Sequence, residues 1–382
     1  MSFAHSVTAP RSITAKLWYV NWPVVAVTGL IATIGCAALY SVGGGSFQPW
    51  AERHAMRFIV ATAILLAIAM VRIQVWLRAA YVVYALALVA LALVPFIGVD
   101  ALGARRWLGF GGMTFQPSEL MKIALVVALA RYYQWLPVPL VSKPVWVAVP
   151  LLLIAVPVVL TLRQPDLGTA VLFSVVGLTL MFLAGVSMLY FFAGLAGVVA
   201  AAPFIWANLH DYQRRRIETF LNPDLDPLGS GYHIAQSKIA IGSGGVWGKG
   251  FVMGTQSQLD FVPEKHTDFI LTILGEEWGF AGLSMLLLLF AVLLGLIIMM
   301  AWRCQNRFGR LVITGSAASL FVYVFINTAM VTGLVPVVGV PLPLVSYGGT
   351  SMMTLMIGLG LAMSAYVHRE ESIRRTDVRS IL

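Results

Sequence analysis

Charge is scarce in this chain. Only 11% of its 382 residues are Asp, Glu, Lys or Arg, whereas 59% are hydrophobic. A soluble protein of this length needs two or three domains with polar surfaces, and outside residues 208–268 no segment offers one. Cysteine is scarcer still. Cys36 lies in an apolar run and Cys304 in a short connection, so no disulfide framework exists. A secretory signal is also lacking, because the polar start leads into a full-length apolar span with no small-residue cleavage pattern before it. Nucleotide motifs fail on inspection. In IGSGGVWGKGF, Ser243 stands where a phosphate loop needs Gly, Gly250 follows Lys249 where Ser or Thr is required, and Trp247 occupies the third glycine position of a dinucleotide fingerprint. These glycines read instead as a flexible turn near lipid headgroups. The net charge of +9 is scattered, with no aromatic-interleaved basic domain. That argues against nucleic acid and for anionic lipid.

What the chain has is apolar length. Its mean hydropathy is +0.87, and apolar segments recur at 22–42, 56–71, 79–97, 119–136, 144–162, 166–185, 188–207, 275–302, 310–334 and 343–367. The pattern predicts an all-α polytopic membrane protein with about ten transmembrane helices. Residues 1–382 form one integral membrane domain, with a large extracytoplasmic loop, 208–268, between helices 7 and 8. Segment 56–71 is short for a hydrocarbon core about 30 Å thick. Residues 269–302 pose the opposite problem, since one helix of that length would run about 51 Å. Residues 280–302 suffice to span, which leaves FILTILGEEWG as a lead-in at headgroup level with Glu276 and Glu277 read as solvated.

Orientation follows from the short connections, where the cytoplasmic side holds the excess of Lys and Arg. With the N-terminus inside, that side receives thirteen: Arg11, Lys16, Arg72, Arg78, Arg131, Lys143, Arg303, Arg307, Arg310, Arg369, Arg374, Arg375 and Arg379. The other receives five: Arg53, Arg57, Arg105, Arg106 and Arg163. Both termini are therefore expected inside, and nearly all acids fall on the outer face. In the long loop, residues 212–221 have helical spacing, ended by Asn222-Pro223 and Asp226-Pro227. The basic run 214–216 reads as a headgroup contact. YHIAQSKIAI, which carries Lys238, suits either a short interfacial helix or a packed strand.

Several outer segments concentrate the chemistry. LDFVPEKHTDFI crowds Asp260, Glu264, Lys265, His266 and Asp268 at the mouth of a span. With Pro263 at a first helical position, Glu264 and Asp268 would share one face at i and i+4. GARRWLGFGGMTFQPSELMKIA joins Arg105 and Arg106 to a helix start carrying Glu119 and Lys122. That i, i+3 pair is either a local ion pair or a functional intramembrane charge. In RQPDLGTA, Asp166 opens a span, either complementing the helix dipole or serving a site. VPVVGVPLPLVSYGGTS, 335–351, is Pro- and Gly-broken and uncharged, and such backbone must line a cavity or be buried in protein. Alone, it equally suits a transporter with discontinuous helices.

Taken in order, GARRWLGFGGMTFQPSELMKIA, RQPDLGTA, GSGYHIAQSKIAIGSGGVWGKGF, GTQSQLDFVPEKHTDFI and PLPLVSYGGTS resemble the signature segments of the SEDS proteins (shape, elongation, division and sporulation), over nearly the whole chain. The GTQSQLDFVPEKHTDF form resembles the rod-elongation, RodA branch. This resemblance implies a peptidoglycan glycosyltransferase that polymerises lipid II outside the bacterial cytoplasmic (inner) membrane, beside a class B penicillin-binding protein as transpeptidase partner. It implies Asp268 as the essential outer-loop aspartate, acting as general base. Arg53, Arg57, Arg105, Arg106 and Lys122 are candidate pyrophosphate or sugar contacts, joined as substrate-binding candidates by Glu119, Asp166, Lys238 and Glu264. The sequence requires no cofactor and assigns no metal site. An alternative stays open in which Asp260, Glu264 and Asp268 hold a divalent cation, since hard cations prefer oxygen ligands. The competing function is a flippase or transporter of lipid-linked cell-wall precursor, which needs embedded polar groups reachable from both sides.

Overall fold

The computed structural model describes residues 12–101, 104–110, 113–209, 211–222, 226, 229–259, 261 and 264–371. Asp260, Pro223, Pro227, Pro263, Arg11, Arg374, Arg375 and Arg379 lie outside the described residues. A short α1 (Ile13–Trp18) leads into α2 (Trp22–Val42), α3 (Trp50–Met70) and α4 (Ile73–Ile97). A small sheet follows, then α5 (Pro117–Trp135), α6 (Pro144–Leu162), α7 (Leu167–Leu183) and α8 (Met188–Asn208). The long connection holds α9 (Asp211–Leu221), α10 (Ser230–Ser243) and α11 (Thr255–Gln258), and α12 (Ile270–Arg303), α13 (Arg307–Val331) and α14 (Gly349–Val367) complete the bundle.

Among the described residues, seven of these helices are long and apolar enough to cross a membrane: α2, α3, α4, α6, α12, α13 and α14. The apolar lengths of α7 and α8 are shorter, Leu167–Leu183 and Met188–Phe204. The tenth, α5, carries Glu119, Lys122 and Arg131 and is buried almost throughout. It is polar because it faces protein rather than lipid. Arg131 Nη1 donates to Arg78 O at 2.9 Å and its guanidinium lies 4.3 Å over the Tyr81 ring, while Gln134 Oε1 accepts from Phe308 N at 2.9 Å. The chain is thus a polytopic helical membrane protein. Helix α3 corrects the short span expected at 56–71: it starts at Trp50, so its 21 residues reach about 32 Å. Arg53 and Arg57 lie in its first two turns.

The two ends of the bundle are distinct. At one, Lys16 Nζ donates to Met70 O at 2.8 Å, Ser364 Oγ to Val71 O at 2.7 Å, and Arg307 to Leu136 O at 3.0 Å and Ala184 O at 2.9 Å. The other end carries the sheet and the described residues of 209–269 and 332–348. Sequence reading placed no strand between α4 and α5, yet ARRWLGF forms β2 (Ala104–Phe110), paired antiparallel with β1 (Val99–Ala101) and β3 (Met113–Phe115) in the order β1-β2-β3. Alternation puts Arg106 and Leu108 on one face of β2 and Arg105 on the other. Leu108 is buried.

Helix α12 resolves the excess length of residues 269–302 by breaking. Gly279 has φ 65° and ψ −165°, non-helical angles that separate a lead-in, 270–278, from a span, 280–303. A break leaves backbone groups without i to i−4 partners, and the glycine-rich turn supplies them. Lys249 N and Gly250 N donate to Glu276 O and Glu277 O at 3.0 and 3.1 Å, while Phe280 N and Ala281 N donate to Gly245 O and Val246 O at 2.9 and 3.0 Å. The turn read as flexible is therefore a packed insert. Helix α10 settles the open choice for YHIAQSKIAI in favour of a helix.

Candidate active site

Asp268 closes the turn 264–269, immediately before α12, at the end of the bundle opposite Lys16. The broken segment 335–348 docks onto that turn. Tyr347 N donates to His266 O at 2.8 Å, and Ser346 Oγ donates to Thr267 O at 2.6 Å while accepting from Leu342 N at 2.8 Å. From α13, the fully buried Asn327 donates through Nδ2 to both Asp268 O at 2.9 Å and Val340 O at 2.7 Å. One amide thus fixes the two segments on either side of the carboxylate. Gly339 has φ 70°, and a Cβ there would meet Asp268 Oδ2 at 3.3 Å. The glycine allows both the backbone turn and the close approach. The segment is also anchored to the bundle: His54 Nε2 bonds Leu344 O at 3.0 Å, and Val345 packs on Gly35.

Two further helices reach this turn and the segment docked on it. Helix α3 presents Trp50, whose ring stacks on His266 at 4.3 Å and meets Tyr347 edge-on at 4.8 Å; about two turns further, Arg57 lies 4.5 Å over the Tyr347 ring. Arg53 is exposed on the same face, four residues from Arg57. Helix α9 brings the charge of Arg216 toward Asp268. Burial, with the repulsion of the neighbouring Glu264 carboxylate, pushes the Asp268 carboxyl up to about 6, and Arg216 opposes that rise. Burial also holds His266 and His233 below the ordinary histidine range, so both are neutral at pH 7. The arrangement offers a proton acceptor of raised basicity under the charge of Arg216, with Arg57 and Arg53 on the neighbouring α3 as further guanidinium groups able to hold an anion.

The remaining candidates form two supporting groups. Lys122 Nζ donates to Glu119 Oε1 at 2.7 Å and to the Tyr323 hydroxyl, which itself donates to both Glu119 oxygens at 3.1 Å. This buried triad is the local ion pair of the sequence reading, enlarged by a tyrosine. Tyr323 and Asn327 are i and i+4 on α13, so the triad stands one turn below Asn327. At the start of α7, Asp166 caps the helix, accepting from Thr169 N at 3.1 Å and Thr169 Oγ1 at 2.8 Å. Arg106 donates from Nε to Gln164 O at 3.3 Å and from Nη2 to Pro165 O. Gly168 packs against Val338 O, which brings this corner to the segment beside Asp268.

With this geometry on the page, comparison with known proteins is informative. The FTSW_RODA_SPOVE family of cell cycle proteins matches residues 16–371. The chain belongs to that family. It is 45% identical over 320 residues to the peptidoglycan glycosyltransferase MrdB of Escherichia coli K12, covering 84% of this chain and 86% of the relative. It is 36% identical over 284 residues to the stage V sporulation protein E of Bacillus subtilis, covering 72% and 75%. Among solved structures, a chain of a peptidoglycan synthase complex that coordinates polymerization and crosslinking superposes with a TM-score of 0.81 at 30% identity, covering 92% of this chain and 99% of that one. The rod shape-determining protein RodA of Thermus thermophilus superposes at 0.70 with 27% identity, covering 92% and 98%.

Several family residues in this chain depart from their sequence reading. Glu264 and Asp268 are not one helical turn apart, since 264–269 is a turn and Glu264 has φ 51°. Glu276 and Glu277 are buried rather than solvated. Glu276 accepts from Lys249 Nζ at 2.7 Å, Thr255 Oγ1 at 3.0 Å and the N–H groups of Gln256 and Ser257 at 3.0 and 3.3 Å, and Glu277 accepts from Ser41 Oγ. The run 214–216 divides: Arg214 donates to Trp206 O at 3.1 Å, whereas Arg216 acts on Asp268. Lys238 lies over Gly333, past the end of α13, and Arg105 is exposed on β2. Asn327, Trp50, Tyr347 and Tyr323 went unnoticed in the sequence. None carries a charge, and each acts through partners distant along the chain.

Proposed function

We propose that this chain, a peptidoglycan glycosyltransferase, extends glycan strands from lipid II with Asp268 as general base. The hydroxyl of the acceptor sugar attacks the anomeric carbon of the donor. A glycosidic bond forms, the bond from that carbon to the pyrophosphate breaks, and undecaprenyl pyrophosphate departs. Asp268 takes the hydroxyl proton. The leaving group is already activated, so no nucleotide is needed. The protein's share is a base and cations that steady the growing negative charge. Arg216, whose charge acts on Asp268, and Arg57, over the Tyr347 ring of the segment docked on the Asp268 turn, suit that task, Arg53 extends it along α3, and burial together with the Glu264 charge raises the basicity of the carboxylate. Glu119, Lys122, Asp166 and Arg106 order the segments around it.

What carries this reading is the burial of Asp268 beside Glu264 on the turn before α12, which pushes its carboxyl up to about 6, with the charge of Arg216 acting on it. The thirteen-to-five division of basic residues supports a site on the extracytoplasmic face of the cytoplasmic membrane. The partner we propose is a class B penicillin-binding protein, as the likeness to the synthase complex suggests. The test is gel analysis of products from purified lipid II, with and without partner and chelator. Asp268→Asn is expected to abolish polymer while the protein remains folded; retained polymerisation would rule out the base assignment. Loss of lipid translocation with intact polymerisation would favour the transporter, and inhibition by chelator would bring back the cation alternative.

A further inference from the structure

At the end of the bundle away from Asp268, a cavity of about 380 Å³ opens between the α1–α2 junction, the last turns of α12 and the residues after α14. Its volume falls in the usual range of small-molecule sites, about 300–1,000 Å³. Two guanidinium groups converge there. Arg303 Nη1 donates to the Tyr366 hydroxyl at 3.4 Å; Arg369 Nη1 donates to Tyr366 O at 3.2 Å, and its guanidinium lies 4.6 Å over the Tyr366 ring and 5.4 Å over that of Tyr19. Among the described residues, both arginines take neutral partners. Of the nearby acids, Glu371 acts on Lys16 and His368, and Glu370 is exposed.

The surroundings say what kind of anion fits. Trp18 lines the cavity and is exposed, and Trp22 and Trp302, also exposed, adjoin the lining residues Asn21, Pro23 and Arg303 along the chain, as expected of aromatic side chains at a membrane–water boundary. Met299 lines the cavity and is itself exposed, continuing onto the apolar flank of α12. A soluble phosphate would meet the same cations but leave that flank unused.

We infer that this cavity binds the phosphate of an anionic phospholipid in the leaflet opposite the one at which Asp268 lies. The guanidinium groups of Arg303 and Arg369 grip the phosphate oxygens, for which their planar donor geometry is suited. An acyl chain follows the Met299 side of α12. Such a lipid would clip α1, α12 and α14 together, far from the polymerisation chemistry.

Native mass spectrometry of the purified full-length protein tests this, with dioleoylphosphatidylglycerol, dioleoylphosphatidylethanolamine or inorganic phosphate added. Wild type is expected to retain the glycerol lipid in preference to the ethanolamine lipid. Each arginine near a membrane surface contributes about 1 kcal/mol, so Arg303→Gln should weaken retention about fivefold and the double variant with Arg369→Gln about 25-fold. Arg310→Gln, exposed at the same end but outside the cavity, should change nothing. Undiminished retention by Arg303→Gln, an equal loss in Arg310→Gln, or no preference between the lipids would overturn the site. Displacement of the lipid by inorganic phosphate would reassign it to a soluble anion. Should the double variant fail to fold, Arg303→Gln decides alone, because among the described residues its side chain makes a single long hydrogen bond, to the Tyr366 hydroxyl at 3.4 Å.

Discussion

At the scale of single residues, Asp268 trades stability for basicity. Its carboxyl titrates near 6 instead of 3.8, so ionisation opposes folding. This contribution to stability is full below about pH 4 and lost as pH rises through 6, the reverse of an ion-paired aspartate. Two measurements follow. Polymerisation rate should fall about tenfold per pH unit below pH 6 as the base protonates; a flat profile down to pH 4 would contradict the assignment. At pH 7, Asp268→Asn should raise thermal stability by on the order of 1–3 kcal/mol while removing activity. Gly339 is the steric counterpart. An alanine there is strained by about 1–2 kcal/mol at φ 70° and presses on Asp268 Oδ2. Gly339→Ala should therefore lower kcat more than it lowers the melting temperature warrants, and equal losses would reduce the glycine to a purely structural part.

At the scale of elements, the break in α12 depends on Gly279. Its φ and ψ belong to a region open essentially to glycine alone, and a Cβ would strike Val246 O at 2.6 Å. Gly279→Ala should cost at least about 1–3 kcal/mol in backbone strain. Gly295→Ala, further along the same helix with nothing within 4 Å of the added carbon, should be neutral or slightly stabilising, and differential scanning fluorimetry separates the two. The non-helical Gly279 that makes the break was not legible in the sequence, but the division of 269–302 into a lead-in and a span was, because 34 residues are too many for one crossing. So were the docked segment 335–348, from its prolines and glycines, and the Glu119–Lys122 pair, from its spacing. The start of α3 was hidden because hydropathy drops at Arg53 and Arg57 although the helix continues. The burial of Glu276 was hidden for another reason. Its partners Lys249 and Thr255 lie more than twenty residues upstream, where no periodicity reports them. Asn327 is the extreme case: an uncharged side chain in an apolar run that fixes the backbone of the proposed base.

At the scale of the whole molecule, the chain divides its labour between two ends, one gathering carboxylates and guanidinium groups around a reactive turn, the other fastening helices through cations on carbonyls. Between them stands α5, enclosed by its neighbours and furnished with Glu119, Lys122 and Arg131. That enclosure bears on biogenesis. A charge at a helix centre costs about 2.5–3.5 kcal/mol at the translocon and one nearer an end less, but three in nineteen residues of low overall apolarity make α5 a poor candidate to partition into lipid unaided. Glycosylation-site mapping of truncated chains in microsomes should find α5 uninserted when expressed alone and integrated once the later helices, above all the one bearing Tyr323, have been synthesised. The nascent protein would then hold its central helix waiting at the membrane surface until its last third arrives.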